Sequence, residues 1–147
     1  MIDWVRSDSA QKWQARNFTR DNVLGVEYFL RKKINQVLSL DASYTYTNKS
    51  IDNQGYLYKY GPNYAQHLIN TVLSLQLPFG RQEIGFNYKK RPARRGWLLM
   101  NAGLNYNLTP NAKVFFNSTN ILNVEYQDIE GIPQPGRYME AGLRLEW

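Results

Sequence analysis

The chain has 147 residues, 14% of them aromatic, a formal net charge of +6 and no cysteine. The missing thiols exclude disulfides and thiolate metal sites, and no apolar run approaches the ~18 residues of a membrane-spanning helix. A mean hydropathy of −0.57 beside so many aromatic rings is unlike a soluble core; it matches a sheet with lipid on one face and water on the other.

The opening residues, Met1-Ile2-Asp3-Trp4-Val5-Arg6, lack the apolar stretch and small-residue cleavage site of a signal peptide, so the chain is expected to be a fragment or a mature segment. Residues 2–6 read as a first, short strand. Further strands are expected at about 20–31, 35–47, 66–78, 82–90, 97–108, 112–122 and 137–147. The warrant is period-2 alternation. Leu38, Leu40, Ala42, Tyr44 and Tyr46 share one face, and Ser39, Asp41, Ser43 and Thr45 the other. Ile69, Thr71, Leu73, Leu75 and Leu77 oppose Asn70, Val72, Ser74 and Gln76. Leu98, Met100, Ala102, Leu104, Tyr106 and Leu108 oppose Asn101, Gly103, Asn105 and Asn107. Met139, Ala141, Leu143, Leu145 and Trp147 oppose Glu140, Gly142, Arg144 and Glu146. Successive side chains on a strand point to opposite faces, so each segment has one apolar and one polar wall. Several are about ten residues long, the length of a tilted membrane-spanning strand.

The connections alternate in length. Short ones are expected near Lys32-Lys33, at Pro78-Phe79-Gly80-Arg81 and at Thr109-Pro110-Asn111-Ala112. Longer ones cover about 7–19, 48–65, 91–96 and 123–136. Short turns at one end and longer loops at the other is the outer-membrane barrel layout. Tyr44, Tyr46, Tyr88, Trp97, Tyr106, Tyr138 and Trp147 fall near strand ends, where a membrane–water boundary favours amphipathic rings. The fold class expected is all-β: an antiparallel meander of about eight transmembrane strands with neighbour-only pairing, part of a larger outer-membrane β-barrel. No domain boundary interrupts residues 1–147.

No catalytic set emerges. His67 is the only histidine and has no motif around it, so it reads as a polar rim residue. Glu140, Glu146 and Arg144 read as charge pairing on the polar face, and Asp41, Glu27 and Glu83 are scattered over separate strands. No cofactor, metal or enzymatic activity is expected. Two loops are better candidates for binding. Residues 48–65 carry Tyr56, Tyr58, Tyr60 and Tyr64, and tyrosine offers large amphipathic contact area with few rotors. Lys89, Lys90, Arg91, Arg94 and Arg95 form a basic run suited to lipopolysaccharide phosphates or an anionic ligand. The strand pattern explains the basic clusters as loops and turns, so nucleic acid is not expected as a partner, and Arg31-Lys32-Lys33 is expected to face water.

The last strand, Tyr138 to Trp147, ends on an aromatic with apolar residues at alternate positions, among them Leu143 and Leu145. It resembles the C-terminal signal recognised by the outer-membrane assembly machinery. Upstream, Asn120-Ile121-Leu122-Asn123-Val124-Glu125-Tyr126, then Gly131 and Pro135-Gly136-Arg137, resembles the final hairpin of TonB-dependent receptors. Ile2 to Arg6, Trp13-Gln14-Ala15-Arg16-Asn17 and Gly25-Val26-Glu27 are similar to a recurring stretch of the vitamin B12 receptor subgroup. The resemblance implies the C-terminal part of an uptake receptor of the bacterial outer membrane for a bulky, scarce nutrient such as a cobalamin or an iron chelate. Its implied partners are outer-membrane lipid and lipopolysaccharide, the assembly machinery, and the TonB complex through a plug domain. A complete receptor also has that plug, a TonB-contacting box and roughly 22 strands, of which this chain would supply the last third. The alternative is a self-contained eight-stranded barrel with an anchoring or adhesive role. A ladder between residues 2–6 and 137–147 would mark that alternative, whereas a segment of a wide barrel is expected to be an open sheet.

Overall fold

The computed structural model describes residues 2–17, 21–51, 55–59, 64–129 and 131–147. In chain order the strands are β1 (Ile2–Arg6), β2 (Gln14–Asn17), β3 (Asp21–Lys33), β4 (Leu38–Ile51), β5 (Leu57–Tyr58), β6 (His67–Leu77), β7 (Gly80–Lys90), β8 (Trp97–Thr109), β9 (Ala112–Thr119), β10 (Gln127–Ile129), β11 (Ile132–Pro133) and β12 (Tyr138–Leu145). The described residues contain no helix.

Seven strands form one antiparallel sheet in the order β12-β9-β8-β7-β6-β4-β3. Each pairs only with the next long strand along the chain, and the short strands of the connections lie in separate sheets. Its registers put the expected apolar residues on one face. Tyr28, Tyr44 and Ile69 lie across from one another, and so do Leu104, Phe116 and Ala141. Among the described residues no second layer covers this face. Leu24, Val26 and Tyr28 are 57–65% exposed, and Ile84, Leu98, Leu104, Leu143 and Leu145 are 37–58% exposed. Among the described residues the only buried hydrophobic side chains are Val5 and Leu99.

Three short turns lie at one end of the sheet, and local chemistry sets each of them. Residues 34–37 turn about Asn35, whose Oδ1 accepts from the backbone N–H of Val37 and Leu38 at 2.9 and 2.8 Å, an Asx turn. β3 thus runs two residues beyond the expected end, through Lys33. Arg31, expected only to face water, ion-pairs with Asp41 directly across on β4. Pro78 and Phe79 make the two-residue β6–β7 turn, closed by Leu77 opposite Gly80. At Gly80 the chain passes so close to β8 that a Cβ would lie 2.0 Å from the Asn105 carbonyl oxygen, and only glycine fits. Pro110 and Asn111 make the third turn. The Asn111 carbonyl accepts from the Glu146 backbone N–H at 2.9 Å, and the Lys113 ammonium donates to the Glu146 carboxylate at 2.9 Å. That hydrogen bond holds the Glu146 carboxyl below the usual carboxylate range. Glu146 therefore pairs with Lys113 on β9 rather than with Arg144 on its own strand.

The eight-strand meander needs correction at its first member. β1 is not in the large sheet. It pairs with β2 through Ile2–Asn17 to Val5–Gln14, and with β5 through Val5–Tyr58 and Arg6–Leu57. Both partners fall in segments expected to be loops. The reason is local: residues 7–13 form a turn in which Asp8 accepts from the Ala10 N–H at 3.2 Å. The Arg6 guanidinium donates to the Ser9 carbonyl at 2.8 Å and stacks over Trp13. A short hairpin forms with little loop-closure entropy, and the strand is then committed. β4 also extends past the expected end to Ile51, because residues 48–51 pair with 21–24 of β3. No ladder joins β1 to β12 in the described residues, and the large sheet is open.

Gly80→Ala is expected to lower stability by about 1–3 kcal/mol through overpacking against backbone that cannot yield. Gly85→Ala, whose nearest neighbour would be 3.8 Å away, serves as the reference. The comparison is made by equilibrium unfolding, and equal midpoints for the two variants would remove the close-approach argument.

Candidate functional site

The polar face carries a continuous hydrogen-bonded file across the sheet. The Asn120 backbone N–H donates to Asn101 Oδ1 at 3.0 Å, and Asn101 Nδ2 to Asn87 Oδ1 at 2.7 Å. Asn87 Nδ2 then donates to Asn70 Oδ1 at 2.9 Å, and Asn70 Nδ2 to Ser43 Oγ at 3.4 Å. Each carboxamide both accepts and donates, so the file satisfies itself without a charge. Nearer the short turns the same face holds ion pairs. Arg81 donates to Glu83 at 2.6 Å and to Ser74 Oγ at 3.1 Å, and Ser74 in turn donates to Glu83 at 2.9 Å. Asn117 Nδ2 donates to Glu140 at 2.9 Å.

Asn120 ends the file and organises the connection from β9 to β12. Its carboxamide is almost wholly buried. Oδ1 accepts from the Val124 N–H at 2.9 Å, and Nδ2 donates to the carbonyls of Val124 at 2.9 Å and Pro135 at 3.4 Å. Asn123 then accepts from the Arg137 N–H at 2.9 Å. A Cβ at Gly136 would lie 2.7 Å from that Asn123 oxygen, so a side chain there would have to displace the Asn123 carboxamide. Both asparagines adopt positive φ, 50° and 52°, which asparagine tolerates better than other side chains. The Asn120-to-Arg137 stretch is thus a lock that closes a long loop on itself. The motif was legible in the sequence, but the physical roles of its members were not.

Facing this lock across β8 is the connection between β7 and β8. Arg91 donates to the Gln127 carbonyl at 2.6 Å, Lys89 pairs with Asp128 at 2.5 Å, and Trp97 packs on Tyr126 with ring centroids 4.6 Å apart. Between the two connections lies a half-open cleft of about 1050 Å³ lined by Arg91, Arg94, Arg95, Trp97, Tyr126 and residues of the lock. Three of the five residues in the predicted basic run therefore line one cavity. Lys89 stands beside it in its ion pair, and Lys90 points to the opposite face, across from His67. The partners Gln127 and Asp128 were missed, since they lie 36–39 positions away in sequence.

The tyrosines of the 48–65 loop take up separate partners. The Tyr56 hydroxyl accepts from Arg16 at 2.6 Å, Tyr58 lies in β5, and the Tyr64 hydroxyl accepts from the Lys49 N–H at 3.1 Å. Tyr60 lies outside the described residues. His67 packs between Tyr44 and Tyr46 on the apolar face, with its Nδ1 2.9 Å from the Tyr44 hydroxyl. Of the aromatics expected at a membrane boundary, Tyr44, Tyr46, Tyr88 and Tyr106 share the apolar face. Trp97 and Tyr138 do not: the register puts them opposite Lys89 and Thr119, on the polar face. Alternation left no other outcome once Leu98 and Met139 were outward. In the terminal strand Tyr138, Leu143 and Leu145 are more than half exposed and Trp147 is fully so. Beyond its pairing with β9, β12 has a free edge among the described residues.

No model of a known protein family matches the chain, and no curated protein is similar to it.

Asn120→Ala removes both acceptor and donor and leaves the Val124 N–H buried without its partner, at a cost of about 1–3 kcal/mol for that group. The expected result is preferential proteolysis within residues 121–136 while the strand signal in circular dichroism is retained. A variant as protease-resistant as the parent would show that the lock does not depend on this side chain.

Proposed function

We propose that the chain is barrel wall of a bacterial outer-membrane protein, of the kind found at the C-terminal end of TonB-dependent uptake receptors. The observation that carries this reading is an antiparallel sheet with one apolar face and one polar face and, among the described residues, no second layer over the apolar one. In water such a surface exceeds what monomeric soluble proteins expose, whereas acyl chains cover it at no cost. Gathering the short turns and the C-terminus at one end, with the long connections at the other, supports the same topology. The short turns would face the periplasm. The polar face, with its neutral asparagine file, suits a wide lumen occupied by other polar groups. The sequence resemblance supplies the finer part of the proposal: energised import of a bulky, scarce nutrient of cobalamin or iron-chelate type, with coupling to TonB through a plug. The open sheet, with β1 paired elsewhere, weighs against a self-contained eight-stranded barrel.

Adjacent residues on opposite faces give the test. Leu104→Arg, on the apolar face, is expected to cost about 2–4 kcal/mol near a bilayer midplane. Asn105→Arg, one residue on and facing the polar side, is expected to cost far less. Folding of the full-length protein into lipid vesicles, read by heat-modifiable gel migration, measures both. Equal costs, or recovery of the protein in the soluble fraction of cells, would overturn the membrane reading. Uptake of labelled cyanocobalamin and of ferric chelates by cells with and without the gene tests the transport reading separately.

A further inference from the structure

We propose that the row of Tyr46, His67 and Lys90 on the apolar face is a site for the phosphate group of a glycolipid in the outer leaflet. The proposal rests on the membrane reading and names a partner for that wall. Alternation sends nearly every charge of the large sheet to its polar face. Among the described residues of its strands, the only Lys, Arg, Asp or Glu side chains on the apolar face are Lys32 and Lys90. Lys32 stands near the short turns and Lys90 beside a long connection. Neither has an ion-pair partner among the described residues. A face that is apolar in the middle and cationic at its two ends is complementary to a bilayer with anionic headgroups. The lysine stems lie along acyl chain while the ammonium groups reach headgroup level.

Lys90 differs from Lys32 in its company. Residues directly across from one another in an antiparallel pair have Cβ atoms about 4.5–5.5 Å apart. His67 stands across from Lys90 on one side and from Tyr46 on the other. An ammonium, an imidazole and a phenol thus share one row over β4, β6 and β7. The imidazole is held in place: its centroid lies 5.2 Å from that of Tyr46 and 6.1 Å from that of Tyr44, and its Nδ1 is 2.9 Å from the Tyr44 hydroxyl. When that hydroxyl donates to Nδ1, the neutral ring carries its proton on Nε2, a donor left for an outside acceptor. A phosphate supplies such acceptors, and lysine binds it as a point charge. The next row toward the short turns is Tyr44, Ile69 and Tyr88, an aromatic level of the kind found just inside a headgroup region. Lys32 stands instead across from Leu40, with Leu73 beyond it, and has neither ring beside it in its row.

Thermal unfolding of the full-length protein in detergent, titrated with lipid A or with phosphatidylcholine, reads the site, because a ligand that binds only the folded state raises the midpoint. Half-saturation by lipid A is expected well below that by phosphatidylcholine, whose phosphate is masked by choline. Lys90→Gln is expected to raise the lipid A value about fivefold, the worth of one lysine at an anionic surface, and Lys90→Arg to restore most of it. His67→Phe, which keeps the ring packing and loses the donor, is expected to raise it too. Lys33→Gln, on the polar face, leaves it unchanged. Should the Lys90 variants fail to fold, the salt dependence of the parent replaces them, with affinity falling as ionic strength rises. Equal half-saturation for the two lipids, no change in Lys90→Gln, or salt-independent binding would overturn the site. Folding into phosphatidylcholine vesicles without any preference for lipid A overturns this site and leaves the membrane reading standing, whereas failure to fold into vesicles of either lipid overturns both.

Discussion

The large sheet has no covered apolar face among the described residues. That constraint governs everything else in this chain: with two buried hydrophobic side chains among the described residues, apolar burial within the molecule cannot balance the entropy of ordering it. The backbone ladder supplies regularity, but net stabilisation from hydrogen bonds exchanged with water is modest. The remaining apolar contacts must come from outside the chain, on the face where Leu24, Val26, Tyr28, Ile84, Leu104, Leu143 and Leu145 stand 37–65% exposed. The same constraint explains the polar face. Neutral carboxamides bonded to one another, and arginines bonded to carboxylates, satisfy themselves across strands and need no second layer.

The asparagine file and the lock are one device seen at two scales. Asn101 serves the sheet through Asn87 and serves the loop through the Asn120 N–H. Asn120 in turn fixes Val124 and Pro135, and so the path that brings the chain back into β12. The position of the closing strand is therefore tied to polar groups on β8, not only to its own ladder with β9. One wall of the cleft inherits its shape from this chain of bonds, while the Arg91–Gln127 and Lys89–Asp128 contacts pin the other wall to it.

The seven strands of the sheet were legible because period-2 alternation is a direct physical consequence of strand geometry, and most ends moved by only one to four residues. What alternation cannot show is partnership. β1 reads as well as any short strand, yet its partners are decided by a turn seven residues long and by a two-residue strand in a distant loop. Trp97 looks like a boundary aromatic from its place at a strand end, but its parity sends it to the polar face, where Tyr126 meets it. The basic run was visible as charge. Which of its members line a cavity depends on Gln127, Asp128 and the lock, none of which can be located until the sheet has been folded. The asparagines of the file were visible as a polar wall; their serial bonding follows only from register.

The outermost strands carry the last consequence of having one layer. β3 is thirteen residues long with one edge unpaired among the described residues. Leu24, Val26 and Tyr28 lie on its apolar face, while its polar face mixes Glu27 and Arg31 with Val23 and Phe29, which are 61% and 71% exposed. A strand of that kind at a free edge in water is a template for pairing with another chain. In lipid the unpaired N–H and C=O groups would cost several kcal/mol each. Either solvent therefore demands a neighbouring strand at β3, and the exposed Phe29 and Val23 require that something apolar also meet the polar face at this edge. The demand at β12 differs, because its polar face carries Tyr138, Glu140, Gly142 and Arg144, with Glu146 just beyond, and no counterpart of Val23 and Phe29. The two edges are thus unlike in side-chain character as well as distant in the sheet, which favours different partners for each over direct closure of one on the other.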